Sequence, residues 1–198
     1  MEIRTLNDLL DAAAARRRGG VATRDEDIGY DELRRRVLRA AAGLQAAGVS
    51  PGDRVALVLR NGLPFVVCYF ALARLGAAAV PLNFMVQKPE DLAVLLKDCG
   101  AKAAIADGDF LPGLRRARAL APALGTLWAT DGAGPQERPF AELLAADPSG
   151  LSPAAVSESD VAGILYTAGT TGVPKGAMLT HRNLVTNCRA SAAHMGLH

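Results

Sequence analysis

The sequence has few cysteines, few aromatic residues and little net charge. Its three cysteines, Cys68, Cys99 and Cys188, lie far apart and form no CxxC pair, which argues against a disulfide framework and against a zinc site. We expect all three to be small buried residues in the reducing environment of the cytoplasm. Aromatic residues make up 5% of the chain and the net charge is +2, so we expect no nucleic-acid partner.

Lysine is also scarce, with 4 lysines against 18 arginines, and Lys175 therefore stands out. The basic run Arg34–Arg36 has no aromatic residues between its arginines, so it is interpreted as the solvated face of a helix rather than a contact for nucleic acid. The most apolar stretch, residues 63–80, is interrupted by a proline, an arginine and a glycine. It is interpreted as a buried helix followed by a strand, and we expect no integral membrane segment.

The sequence does contain a regular alternation of apolar strands and amphipathic helices. Half of its residues are hydrophobic, which is typical of a globular protein. This alternation predicts an α/β fold with a mostly parallel sheet and helices on both faces. After a short hairpin at 21–30, strands are predicted at 55–59, 77–81, 102–106, 126–130 and 161–167, and helices at 6–18, 30–47, 64–75, 90–99, 111–120, 140–145 and from 182 onward.

A change of composition at Asp131 predicts three segments. Residues 1–130 are expected to form an α/β sub-domain. Residues 131–160 contain four prolines among small and acidic residues, which is typical of a connector, and Glu158 and Asp160 are expected on its surface. Residues 161–198 are expected to begin a second α/β sub-domain that carries a phosphate-binding loop.

That loop lies in the most unusual segment of the chain, Tyr166–Gly176, with the sequence YTAGTTGVPKG. Its glycines let backbone N–H groups point into one concavity, its threonines add hydroxyl groups, and Lys175 adds a positive charge. This combination predicts a cradle for a polyphosphate, although a flexible surface turn is the alternative. The spacing differs from that of a Walker P-loop. The apolar runs on both sides, at 161–167 and 177–180, predict a strand–loop–strand hairpin.

The longer segment Tyr166–Asn183, YTAGTTGVPKGAMLTHRN, resembles the signature of the adenylate-forming, or AMP-binding, superfamily, with Ala168 in the place of the usual serine. Residues 48–56, 61–70 and 76–83 are similar to other patterns of acyl-CoA synthetases, in the same order. The resemblance implies the amino-terminal part of the acyl-CoA synthetase-like fold. The adenine-binding and ribose-binding segments and the catalytic carboxy-terminal domain are then expected beyond this chain, which we expect to be inactive alone.

The resemblance also implies a reaction and a site. Members of the family join a carboxylate to AMP from ATP, with Mg²⁺ on the phosphates, and usually pass the acyl group to a thiol such as that of CoA. Lys175 and Thr167 match catalytic positions, Thr167 is the implied contact to Mg²⁺, and His181 matches a histidine for which a structural role is favoured. The residues implied to hold the phosphates are Thr167, Ala168, Gly169, Thr170, Thr171, Gly172 and Lys175.

Three hypotheses follow from these observations. The leading one is an acyl-CoA ligase that uses ATP, CoA as co-substrate and a carboxylic acid such as a fatty acid. The second is an adenylation domain that loads a carrier protein, and the third is a non-catalytic module that binds a nucleotide or a partner. Because an interrupted core would expose apolar surface, we also expect the chain to self-associate.

Overall fold

A computed structural model describes residues 2–86, 88–152, 154–167 and 174–196 of the 198-residue chain. The strands are β1 (Gly20–Ala22), β2 (Asp27–Gly29), β3 (Arg54–Val58), β4 (Ala78–Pro81), β5 (Ala103–Ala106), β6 (Leu127–Ala129), β7 (Arg138–Pro139), β8 (Val161–Thr167) and β9 (Lys175–Thr180). The helices are α1 (Leu6–Ala15), α2 (Tyr30–Ala46), α3 (Leu63–Arg74), α4 (Pro89–Asp98), α5 (Leu111–Leu120), α6 (Ala141–Ala145) and α7 (His181–His194).

Seven of these strands form one sheet in the order β7-β6-β5-β3-β4-β8-β9. Its neighbouring strands are parallel, except that β8 and β9 are antiparallel. The chain passes from β3 to β4 through α3 and then crosses back over β3 to β5 through α4. These two crossovers run in opposite directions along the sheet, so α3 and α4 cover opposite faces. The predicted α/β fold with a mostly parallel sheet is confirmed.

The central strand β3 is buried on both faces. Val55 and Leu57 pack in the layer that contains α2 and α3, whereas Ala56 and Val58 pack in the layer that contains α4 and α5. All four residues are at most 1% exposed. A continuous apolar run of this kind is typical of parallel strands that are covered by helices on each side.

The most apolar stretch of the sequence forms α3 and β4, as predicted. Pro64 lies in the first turn of α3, where its missing N–H costs no helical hydrogen bond. Gly76 then turns the chain with a left-handed backbone, φ 66°. Within the described residues, no helix is both long enough and apolar enough to cross a membrane.

Most predicted elements are present with small shifts of their ends. The helix predicted from residue 182 onward ends at His194, before Met195 and Gly196, and the other large difference is in α1. It begins after Thr5, whose side chain caps the helix in a reciprocal arrangement with Asp8. It ends at Ala15, whereas the sequence predicted an end at Arg18. Arg17 adopts a left-handed backbone, φ 49°, which a continuing right-handed helix cannot accommodate.

The basic run on α2 lies on a solvated helix face, as predicted. Each arginine of Arg34–Arg36 forms at least one ion pair, with partners drawn from Asp11, Glu26, Asp31 and Glu32. Because these guanidinium groups already have carboxylate partners, the run offers little free positive charge to a nucleic acid.

The prediction for the cysteines is right for two of them and wrong for the third. Cys68 and Cys99 are buried free thiols, whereas Cys188 is exposed. Cys188 lies on α7, which buries only His181 and Val185 of the residues assigned to it in the structure. The remaining faces of α7 contact solvent, and a cysteine there is exposed in spite of its apolar character.

The single seven-stranded sheet draws strands from all three predicted segments. The connector, residues 131–160, contributes β7 at one edge, and the segment 161–198 contributes β8 and β9 at the other edge. The predicted sub-domain boundaries at residues 130 and 160 stay a prediction.

Candidate functional site: the end of the β8–β9 hairpin

The segment predicted to hold phosphate begins and ends within the β8–β9 hairpin. The two strands pair in a register that sets Thr167 opposite Lys175 and Tyr166 opposite Gly176. The two predicted strands are confirmed as an antiparallel pair, and β9 begins at Lys175, two residues before the predicted start at Ala177. The segment between the two strands, of which the structure describes only Pro174, therefore begins after Thr167 and ends before Lys175.

Thr167 and Lys175 are both exposed residues. Residues directly opposite each other in an antiparallel pair project to the same face, with Cβ atoms about 4.5–5.5 Å apart. Lys175 makes no ion pair with a carboxylate in the part of the chain that the structure describes. An ammonium group beside a hydroxyl group can thus bind an anion without first breaking a salt bridge with these residues.

The other predicted phosphate ligands lie outside the described residues. They are Ala168, Gly169, Thr170, Thr171 and Gly172. Their role in holding phosphate stays a prediction, as does that of Thr167 and Lys175.

A side-chain hydrogen bond next to this pair was not foreseen from the sequence. The hydroxyl of Tyr166 donates a hydrogen bond to the carboxylate of Asp98, the last residue of α4. Partial burial, and then this hydrogen bond, raise the pKa of Tyr166 above its usual range, so the phenol keeps its proton and remains a donor at neutral pH. Asp98 precedes Tyr166 by 68 residues, and no local sequence pattern links the two.

Comparison with known proteins decides the family. The sequence model described as AMP-binding enzyme matches residues 10–197, nearly the whole chain. The chain belongs to the AMP-binding enzyme family. The resemblance that was drawn from the hairpin sequence is thereby confirmed.

Two curated relatives show how far the likeness of this chain to known members of the family extends. The chain is 41% identical over 179 residues to feruloyl-CoA synthase of Amycolatopsis sp, an alignment that covers 89% of this chain and 32% of the relative. It is 35% identical over 177 residues to 4-hydroxybenzoate–CoA/benzoate–CoA ligase of Rhodopseudomonas palustris, covering 88% of this chain and 33% of the relative. The chain thus spans about a third of the length of the curated relatives it matches.

Solved structures show the same fold. Anthranilate CoA ligase AuaEII in complex with anthranoyl-AMP superposes with a TM-score of 0.87 at 25% identity, over 93% of this chain and 36% of that protein. MbtA of Mycobacterium smegmatis gives a TM-score of 0.87 at 29% identity, over 97% of this chain and 36% of that protein. The sheet and helices described above are therefore the fold of AMP-binding enzymes in the portion that they share.

His181 occupies a buried structural position directly after β9. Its side chain is 0% exposed, and Nδ1 accepts a hydrogen bond from the backbone N–H of Leu6 at 3.2 Å. Burial lowers the pKa of His181 in spite of the opposing charges of Asp160 and Asp8. The imidazole is therefore neutral with its proton on Nε2, and its contact with α1 supports the structural role favoured from the sequence.

Two acidic residues near the end of the connector, Glu158 and Asp160, contact the start of α7. Glu158 forms an ion pair with Arg182 at 2.6 Å. The backbone carbonyl of Asp160 accepts the N–H of His181 at 3.1 Å. Asp160 is exposed and Glu158 is partly exposed, in agreement with the surface position predicted for them.

The described residues offer no ready-made metal centre. Within the ranges that the structure describes, no group of three or more His, Cys, Asp or Glu side chains is arranged to hold a metal ion. Thr167 presents a single hydroxyl oxygen, whereas Mg²⁺ requires an octahedral set of oxygens and is commonly held by water and substrate phosphates besides one or two protein groups. Thr167 thus fits as one contact to a Mg²⁺ ion that arrives with a bound triphosphate.

Proposed function

We propose that this protein takes part in the ATP-dependent, AMP-forming activation of a carboxylic acid and the transfer of its acyl group to CoA. The observation that carries the proposal is the pairing of exposed Thr167 with exposed Lys175 across the end of an antiparallel hairpin. That pair flanks the glycine- and threonine-rich loop in a member of the AMP-binding enzyme family. Further support comes from curated relatives that are named as CoA synthase or CoA ligase.

The proposed reaction has two steps. In the first, a carboxylate oxygen attacks the α-phosphorus of ATP, a new O–P bond forms, the bond to the bridging oxygen of the β-phosphate breaks, and pyrophosphate leaves. In the second, the thiol sulfur of CoA attacks the acyl carbonyl carbon, the thiol proton is released, and AMP leaves. The first step brings an anion towards a polyanion, so positive charge and preorganised donors on the phosphates lower its barrier.

In this proposal the hairpin supplies those charges and donors. The ammonium of Lys175 binds the β- and γ-phosphates, and the hydroxyl of Thr167 contacts a phosphate oxygen or the Mg²⁺ ion on it. Ala168 contributes a backbone N–H and no hydroxyl. The rest of the cradle comes from the backbone N–H groups and hydroxyls of Gly169, Thr170, Thr171 and Gly172.

The acid substrate is proposed only as a class. Relatives that are 34–41% identical are named for ferulate, for benzoates, for long-chain fatty acids and for crotonobetaine or carnitine. Likeness at this level does not choose between an aromatic acid and a fatty acid. CoA is favoured over a carrier protein as the acceptor because each of these relatives is named for CoA.

The isolated chain is proposed to bind a triphosphate without completing the reaction, because it spans about a third of the length of its curated relatives.

We also propose that it associates with a second copy and that it is cytoplasmic, where its cysteines remain free thiols. A non-catalytic module stays as the alternative if a triphosphate binds and no acid is activated.

The decisive experiment measures pyrophosphate and AMP release by the complete gene product with Mg²⁺, ATP and a panel of aromatic and fatty acids. We expect acid-dependent release of pyrophosphate, and release of AMP that requires free CoA. Lys175→Ala should slow pyrophosphate release about tenfold to a hundredfold through loss of a charged phosphate contact. Lys97→Ala, which removes an exposed lysine from α4, serves as the control and should have no effect.

Two results would change the assignment. Release of AMP on addition of a carrier protein, but not of CoA, would favour an adenylation domain. Pyrophosphate release that is equal in Lys175→Ala and in the unchanged protein would remove the hairpin from the mechanism.

A further inference from the structure

The end of the β8–β9 hairpin extends beyond the strand beside it. Among the described residues, β8 pairs with β4 at one register position, Ala79 opposite Gly163, and β4 ends at Pro81. The two hairpin strands continue as partners for four more positions, up to Thr167 and Lys175. Backbone pairing within the described sheet therefore leaves this end of β8 supported by β9 alone.

One side chain joins this end of the hairpin to the helical layer. The ring of Tyr166 packs against the apolar cluster that contains α4 and α5, and its hydroxyl donates to the carboxylate of Asp98. Asp98 is exposed and lies on the last turn of α4, close to Leu96, which is 2% exposed and packs in that cluster. The hydroxyl also lies 3.5 Å from the carbonyl oxygen of Leu95, at the outer limit of hydrogen bonding.

The residue opposite Tyr166 makes room for its ring. A Cβ atom added to Gly176 would lie 3.2 Å from Cζ of Tyr166 and 2.9 Å from Cγ2 of Ile164. Both distances are shorter than ordinary carbon–carbon contacts, so a side chain at Gly176 would displace the ring or the strand. Pairing of an aromatic residue with a glycine across two strands is a known means of fixing their register.

We propose that Tyr166, Asp98 and Gly176 form a clamp that positions Thr167 and Lys175 for the phosphates of the nucleotide. Tyr166 directly precedes Thr167, and Gly176 directly follows Lys175. Each clamp residue on the hairpin is therefore bonded to a phosphate-binding residue, and a shift of the clamp would move both Thr167 and Lys175. The clamp residues are positioning residues, which act through Thr167 and Lys175. The inference rests on the proposed function, in which these two residues bind phosphate.

The first test measures amide hydrogen exchange in the ¹⁵N-labelled 198-residue chain. Tyr166→Phe keeps the ring and removes the donor, whereas Asp98→Ala removes the acceptor and Asp98→Asn keeps one acceptor oxygen. Because the hydrogen bond is open to solvent, we expect a moderate effect, with exchange about threefold to tenfold faster at residues 164–167 and 175–178 in Tyr166→Phe and Asp98→Ala. Asp98→Asn should resemble the unchanged protein, and amides of β3 and β5 should not change in any variant.

The second test titrates the same proteins with inorganic tripolyphosphate and Mg²⁺, followed by the amide shifts of Thr167 and Lys175. Tyr166→Phe and Asp98→Ala should weaken binding about threefold to tenfold, and Asp98→Asn should restore it to within about twofold. Lys175→Ala should weaken binding without any change in amide exchange. This rescue by Asp98→Asn separates positioning from a general loss of stability.

The outcomes distinguish failure of the clamp from failure of the proposed function. Unchanged exchange and unchanged affinity in Tyr166→Phe, with binding that still depends on Lys175, would overturn the clamp. Faster exchange with unchanged affinity would overturn its positioning role. Tripolyphosphate binding that is absent, or that is the same in Lys175→Ala, would overturn the proposed phosphate site and with it the ligand that the clamp is proposed to serve.

Discussion

Thr167 lies directly opposite Lys175 in the β8–β9 pair, so a neutral hydroxyl and an ammonium group project from the same face at the end of the hairpin. An ammonium group alone would attract any anion. The adjacent hydroxyl adds a directional donor and an oxygen that can contact a metal ion. If the pair binds phosphate as proposed, we therefore expect it to favour a triphosphate that carries Mg²⁺ over a simple anion.

Replacement of Thr167 tests this difference. Thr167→Val keeps the shape of the side chain and removes the hydroxyl, and we expect it to weaken binding of tripolyphosphate with Mg²⁺ to the 198-residue chain about fivefold to tenfold. Thr167→Ser keeps the hydroxyl and should bind like the unchanged protein. The measurement is an NMR titration with and without Mg²⁺. Equal affinities of the valine and serine variants would contradict a role for the hydroxyl, and an equal loss with and without Mg²⁺ would assign it to phosphate alone.

The alternation of strands and helices, and the hairpin at its end, could be predicted from the sequence because apolar periodicity decides where chain segments are buried. The start of β9 could not be predicted so well. Lys175 and Gly176 lack the apolar character of a strand, and they belong to β9 because Thr167 and Tyr166 pair with them. Backbone pairing with β8 thus makes β9 longer than the apolar residues of its sequence predict.

Contacts between distant parts of the chain account for what the sequence did not predict. The hydrogen bond of Tyr166 with Asp98 joins β8 to α4 across 68 residues, and neither residue has a local neighbour that indicates it. The exposure of Cys188 likewise depends on how little of α7 is covered by other elements. Local sequence predicts elements, whereas their packing decides which side chains meet.

The buried imidazole of His181 predicts a dependence of stability on pH. Its pKa is lowered, mainly by burial, so between the unfolded value of about 6.5 and the lower folded value the unfolded chain binds more protons than the folded one. The contribution of neutral His181 to the free energy of unfolding is therefore fully present above about pH 6.5. It is lost as the pH falls from about 6.5 through the lower pKa of the folded state. The slope from this one group cannot exceed about 1.4 kcal/mol per pH unit.

Urea unfolding of the 198-residue chain between pH 5 and pH 8 measures this effect. In His181→Asn the amide oxygen can still accept the N–H of Leu6, and we expect a flatter profile between pH 5 and about pH 6.5. His194→Asn removes an exposed histidine of α7 and should leave the profile unchanged. A profile that is as steep in His181→Asn as in the unchanged protein would show that other groups cause the dependence.

The contact of α2 with α6 depends on the absence of a side chain at Gly43. A Cβ atom there would lie 2.9 Å from Cα of Leu143, and Leu143 is itself buried. Because backbone cannot yield as a flexible side chain does, we expect Gly43→Ala to cost about 1–3 kcal/mol, more than the gain of up to about 1 kcal/mol in helix propensity.

The matched control for this prediction is Gly150→Ala. An added Cβ at Gly150 meets nothing within 4 Å and its backbone is not left-handed. Its free energy of unfolding in urea should stay within about 0.5 kcal/mol of the unchanged protein. If Gly43→Ala is as stable as Gly150→Ala, α6 does not pack closely on α2 in solution.

The open edge of the sheet at β9 predicts association of the chain with a second copy. In the described sheet β9 has β8 on one side and no strand on the other, and its Met178 is 68% exposed. Unpaired N–H and C=O groups beside apolar side chains are a template for pairing with another strand. We expect the sedimentation coefficient of the 198-residue chain to rise with concentration, and Met178→Lys to suppress that rise by placing a charge at the edge.

Met195→Lys is the control for this experiment, because Met195 is 62% exposed but follows α7 and lies outside the sheet. It adds the same charge to the same type of residue, so a difference between the two variants identifies the β9 edge and not net charge as the cause. If both lysine variants suppress association equally, electrostatic repulsion between whole molecules is sufficient to explain it. A monomer at every concentration would contradict the predicted association and would indicate that Pro174 and Lys175 already protect this edge, since proline and lysine are common means of preventing strands from pairing.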